Sequence, residues 1–174
     1  AEAKQKVYGI RKADGSLYTF TSSKFMPASM VDLWNPAARA WAQAKYATGL
    51  QAGVDGWMAD FCEWLPVDAV MADGSSGLDR HQRYPVECQR LNRELFDQWH
   101  AKDGVERLFF VRSAWLGSQP LVSVVWAGDQ QTDFSEGDGL PSVVPMGIGL
   151  GMTGFPYYGS DVAGYASFGT EPTD

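Results

Sequence analysis

Val54-Asp-Gly-Trp-Met-Ala-Asp-Phe61 is a short apolar run that follows Gly53 and ends among acidic groups. Its length and its glycine boundary read as a buried strand rather than a helix. Three further segments share this character: Arg107 to Ser113 (RLFFVRS), the β-branched Leu121 to Ala127 (LVSVVWA), and the less regular Gly154 to Ser160 (GFPYYGS). Helical patterns alternate with them. Asn35-Pro36 is a cap and first-turn pair for Ala37 to Leu50. Pro85 opens a second helix through Leu91, Leu95 and Trp99, with Gly104 beyond its end, and Pro141 to Gly151 forms a glycine-bearing third. Strands and helices in this order imply an α/β chain of parallel β/α units with right-handed crossovers. Residues 1–174 therefore read as one domain, a partial (β/α)8 TIM barrel of about four to five units, where a full barrel takes about 250 residues.

Composition narrows the function. The chain is 45 % hydrophobic and carries a net charge of -7, which supports a packed core and disfavours nucleic acid or an anionic membrane as partner. No uninterrupted apolar run reaches the length of a span, because Leu140 to Tyr158 is broken by glycines and prolines. Ala1 to Val7 is polar and basic with no apolar stretch, so no secretory leader is expected and a cytoplasmic location fits. Cys62 and Cys88, too few for a disulfide framework and too far apart for a zinc signature, are expected to be small buried thiols. His81 and His100 have no partners at ligand spacing, so no metal site is expected. Phe134 and Glu136 break the calcium-loop pattern in Asp133 to Gly139, which reads instead as a loop over the active site. The abundance of Trp, Tyr and Phe suits flat apolar pockets and is a weak pointer to sugars.

Three acids stand out by position. Asp60, Asp129 and Asp161 each lie just past the C-terminal end of an apolar strand, where barrel enzymes gather their catalytic groups. Two carboxylates, one ionised and one protonated, are the usual apparatus for breaking a glycosidic bond. The competing reading is that such residues only cap the next helix.

Five ordered motifs carry a resemblance across nearly the whole chain: GWMADFCEWLP (Gly56 to Pro66), RHQRYPVECQRLNRE (Arg80 to Glu94), RSAWLGSQP (Arg112 to Pro120), VWAGDQ (Val125 to Gln130) and DGLPSVVPMGIGLGMTGFPYYGSDVAGY (Asp138 to Tyr165). Together they resemble the central to C-terminal part of the catalytic barrel of glycoside hydrolase family 31, in the α-glucosidase and sulfoquinovosidase-like subgroup. The resemblance implies a retaining α-glycoside hydrolase with a carbohydrate substrate and no cofactor. Asp60 matches the nucleophile and Asp129 the acid/base. Glu63 matches a second acidic position that orients polar neighbours, and Arg112 a strand-end arginine that holds a carboxylate or sugar hydroxyls. Asp161 matches a residue that bonds substrate hydroxyls, while Trp57 and Trp126 would wall the pocket. Tyr165 matches a tyrosine that helps bind a sulfonate in sulfoquinovosidases. Two departures qualify this: Gly159 stands where many bacterial relatives have histidine, and Ala166-Ser167 stand where sulfoquinovosidases have two threonines. Half a barrel leaves unpaired strand edges, so a homo-oligomer or the missing remainder of the barrel is the expected partner. The alternative is a catalytically incomplete piece that binds carbohydrate or associates with another chain.

Overall fold

A computed structural model describes residues 8–22 and 26–167. The segment Ala1 to Val7, where no leader is expected, lies outside them. The chain divides into two units, one of Ala1–Asp55 with Cys62–Arg107 and one of Gly56–Phe61 with Leu108–Asp174.

The first unit is mainly helical. Its short antiparallel hairpin joins β1 (Phe20–Ser22) to β2 (Met26–Ala28). Helix α1 (Pro36–Gln51) starts where expected, because the Asn35 side chain accepts from the backbone N–H of Ala37 and Ala38 at 3.0 and 3.3 Å. Helix α2 (Gly77–Arg80) opens on a reciprocal capping box between Ser76 and Asp79 and runs through a 3₁₀ turn (His81–Arg83) into α3 (Tyr84–Asp103). Gly104 ends α3 in the left-handed conformation at φ 71°, in keeping with its place after Asp103. Ile10, Leu65, Ala69, Met71, Tyr84 and Leu91 form the unit's buried core. Arg39 of α1 ties the two long helices together through Glu87 and Glu94 of α3, at 3.3 and 2.9 Å.

The cysteines are the correction in this unit. They are not free thiols: Cys62 and Cys88 form a disulfide, with Cα atoms 6.6 Å apart. Sequence hides this pairing because a separation of 26 residues says nothing about approach. Both side chains pack against the same core cluster, and that packing brings the sulfurs together. By loop-closure entropy a cross-link of this span stabilises by about 3.5 kcal/mol. Cys62→Ser with Cys88→Ser is therefore expected to lower the denaturant midpoint measurably, and a reductant should reproduce the shift in the native protein but not in the double variant.

Arg107 closes the unit by reaching back to the end of α3. Its guanidinium donates to Asp103 Oδ1 and Oδ2 at 3.0 and 2.7 Å, and its side chain is almost wholly covered. These bonds, with the backbone N–H of Val105, hold the Asp103 carboxyl down to about 2. A depressed folded-state value means that this contact stabilises the fold above the ordinary aspartate range and is lost as pH falls towards 2. NMR titration should place Asp103 near pH 2, and Arg107→Ala should return it towards ~3.9.

The second unit holds the sheet. Strands β3 (Gly56–Ala59), β4 (Leu108–Val111), β5 (Val124–Trp126) and β6 (Tyr158–Gly159) are all parallel and lie in chain order. This is the β/α alternation expected of a barrel, opened rather than closed among the described residues. The strands are shorter than the apolar runs suggest, since the residues at their ends belong to turns and ion pairs. Register pairs Trp57 with Phe109, Met58 with Phe110 and Phe110 with Val124. Alternation then puts Met58, Phe110 and Val124 on one face, and Trp57, Phe109 and Val125 on the other. Helix α4 (Leu140–Met152) approaches β6 at Gly147, where a Cβ would stand 2.7 Å from the Tyr158 ring. That closeness requires glycine. No described helix is long and apolar enough to cross a membrane.

Candidate active site

Sheet order decides the geometry of this site. The C-terminal end of β4 lies between those of β3 and β5, so a side chain leaving β4 can touch groups at the ends of both neighbours. Asp60 follows β3, Arg112 follows β4, and Asp129 lies three residues beyond β5. The Arg112 guanidinium bridges the two acids, with Nε 3.3 Å from Asp60 Oδ1 and Nη1 3.7 Å from Asp129 Oδ2. Arg112 is the most covered of the three, its side chain 15 % exposed against 28 % for Asp60 and 39 % for Asp129. A mostly buried cation flanked by two more open carboxylates leaves the acids accessible while fixing where they stand.

Local backbone supports each acid. The N–H of Phe61 donates to Asp60 Oδ1 at 2.7 Å. Phe61 takes a left-handed φ of 60°, rare for a side chain of its size, and this turns the chain away from the strand direction directly after Asp60. Gly128, at φ 88°, turns the chain before Asp129. The next residue, Gln130, is buried and anchors this turn by donating its side-chain amide to Ala127 O at 2.6 Å.

The third acid is drawn in by backbone pairing. Tyr165 N donates to Gln130 O at 2.9 Å and Thr132 N to Ala166 O at 3.3 Å, which sets the Asp161–Tyr165 turn beside the Asp129 segment. Gly164 makes that turn possible: at φ 83°, a Cβ there would lie 2.6 Å from Gln131 O. Asp161 is half-buried and lines a cavity of about 470 Å³ with Gln130, Asp133, Phe134 and Leu140 among its other walls. The loop Asp133 to Gly139 thus contributes to this cavity.

Of the remaining expected residues, Trp126 is buried to 7 % exposure and meets the Phe110 ring edge-on at 5.4 Å. It shares the sheet face that leads to Asp60 and Arg112. Trp57 does not, because strand alternation carries it to the opposite face with Phe109. Tyr165 is exposed, and Glu63 is half-buried within the first unit. The turn Asp73 to Gly77 follows an isolated bridge at Val70 and carries Ser76, the cap of α2. Among the described residues no group of three His, Cys, Asp or Glu side chains is arranged to hold a metal ion.

Two residues of the site escape a reading of the sequence. Phe61 packs its ring under the Arg112 guanidinium at 4.1 Å, and Ser113 donates its hydroxyl to Phe61 O at 2.6 Å. Only the sequence adjacency of Phe61 to Asp60, and of Ser113 to Arg112, points to them.

Comparison with known proteins bears on the family and the fold. Residues 1–173 match the model of the glycosyl hydrolases family 31 TIM-barrel domain. The chain is 39 % identical over 167 residues to the sulfoquinovosidase of Escherichia coli K12, covering 95 % of this chain and 24 % of that protein. It is 38 % identical to the sulfoquinovosidase of Agrobacterium fabrum, over 79 % of this chain and 21 % of that one. Among solved structures, a family 31 sulfoquinovosidase from E. rectale, in complex with the aza-sugar inhibitor IFGSQ, superposes with a TM-score of 0.91 at 37 % identity, covering 99 % of this chain and 26 % of that chain. The chain therefore spans about a quarter of the length of the relatives it matches. Motif order, parallel sheet and family match converge: the chain belongs to family 31 of the glycosyl hydrolases and carries part of their TIM-barrel domain.

Proposed function

We propose that these residues serve a retaining α-glycoside hydrolase acting by double displacement on an α-linked sugar. The observation that carries the reading is the single Arg112 guanidinium in contact with both Asp60 and Asp129. In the first step Asp60 Oδ2 attacks the anomeric carbon. The bond to the leaving oxygen breaks as protonated Asp129 donates to it, and a glycosyl-enzyme forms. In the second step Asp129 takes a proton from water, whose oxygen displaces Asp60 from the anomeric carbon. Such a mechanism needs the two carboxyl groups about 5–5.5 Å apart, a spacing that one shared guanidinium favours. Asp161, opening on the adjacent cavity, would bond sugar hydroxyls, and Trp126 would form part of the pocket wall.

For the sugar, α-sulfoquinovoside is the preferred choice and α-glucoside the next. The two sulfoquinovosidase relatives and Tyr165 support the former, while Ala166-Ser167 in place of the expected threonines supports the latter. Purified protein should release p-nitrophenol from one of these α-glycosides, and proton NMR should detect the α-anomer as first product. First appearance of the β-anomer would contradict the double displacement.

A second reading has its own support. The chain spans about a quarter of its relatives' length, and Val144, Ile148 and Met152 of the apolar α4 are exposed. On this reading the 174 residues alone are catalytically incomplete and at most bind sugar or associate with another chain. Folded 174-residue protein that fails to turn over either glycoside, while a longer polypeptide carrying it succeeds, would favour it.

A further inference from the structure

The Arg112 guanidinium is held from beneath as well as from its two sides. Its Cζ lies 4.1 Å above the centroid of the Phe61 ring, within the range where the ring's negative face attracts a cation. The same residue acts on the nucleophile through its main chain. Phe61 N–H donates to Asp60 Oδ1 at 2.7 Å, while Phe61 O accepts from Ser113 at 2.6 Å, one residue beyond Arg112. Ring and backbone therefore reach the nucleophile, the bridging arginine and the residue after that arginine.

An unfavourable backbone conformation accompanies this. Phe61 has φ 60° and the residue remains 42 % exposed, so burial does not account for its position. The ring instead faces the Arg112 guanidinium. Building on the double-displacement reading above, we propose that Phe61 is a positioning residue whose ring fixes the Arg112 guanidinium between Asp60 and Asp129. The stack opposes any swing of Arg112 towards one acid alone, which would leave the other without its cation as charge moves between them. Phe61 touches no reacting atom in this scheme and acts through Arg112.

Two variants separate the ring's electrostatics from its bulk. Phe61→Leu keeps an apolar side chain and both main-chain hydrogen bonds but removes the aromatic face, and Phe61→Tyr keeps the face. In the protein that carries this chain, Phe61→Leu is expected to lower kcat roughly tenfold, with KM and Tm little changed. Phe61→Tyr should retain near-native kcat. Equal losses in both variants, or no loss in Phe61→Leu, would overturn the assignment. A readout independent of turnover is the Arg112 Nε–H proton signal. The ring current should shift it upfield in native protein and Phe61→Tyr, and Phe61→Leu should abolish that shift. Absence of the shift from native protein would refute the stack. Glycosidase inactivity of native protein with the shift present would instead count against the hydrolase reading alone.

Discussion

Asp60→Ala should reduce hydrolysis of every α-glycoside substrate by at least about 10⁴-fold, equivalent to ~5.5 kcal/mol of lost transition-state stabilisation. The expectation follows from chemistry as well as position. On the proposed double displacement no covalent intermediate forms without Asp60, and the remaining groups can only bind the sugar or assist a much slower direct attack by water. Substrate binding should survive, because Asp161 and the walls of its cavity are untouched. Isothermal titration with a non-hydrolysed sugar would distinguish lost chemistry from lost binding. Folding should survive too, since Asp60 is partly exposed and its contacts are with Phe61 and Arg112. A circular dichroism melt provides that control, and an Asp60→Ala protein with more than a few per cent of native activity would exclude Asp60 as the nucleophile.

Asp129→Ala should produce a different pattern. General acid help matters in proportion to how poor the leaving group is, so alkyl glycosides should slow by about 10²–10⁴-fold. Activated aryl glycosides need little protonation and should still glycosylate Asp60, but water is then no longer deprotonated and the second step lags. A burst of p-nitrophenol followed by a slow steady state is the expected trace. Equal losses on both substrate types would contradict the acid/base role. Removing Asp129 also deprives Arg112 of an anion it contacts, so part of the loss with alkyl substrates should be shared by Arg112→Ala.

The legibility of these features in sequence tracks their physical range. Asn35-Pro36, Gly104 and the apolar runs are local signals, and they place α1, the end of α3 and all four parallel strands. Asp60, Arg112 and Asp129 are legible as separate strand-end residues. Their meeting on one guanidinium is not, because that depends on sheet order, which a single sequence expresses only through the family resemblance. Trp57 and Trp126 show how far pattern reading extends. The family resemblance assigns both to the pocket wall, but their faces depend on register, and alternation puts Trp57 opposite Asp60. The Cys62–Cys88 pairing and the Phe61–Arg112 stack depend on tertiary approach, for which spacing carries no signal.

Everything proposed for the chemistry turns on Asp60 being the group that bonds to sugar. A 5-fluoro glycosyl fluoride reacts to form a glycosyl-enzyme that hydrolyses slowly enough for peptide mass spectrometry. One label per active site is expected, carried by the peptide containing Asp60 and absent from the Asp60→Ala protein. A label on Asp129, on Asp161 or on any other carboxylate would contradict that role.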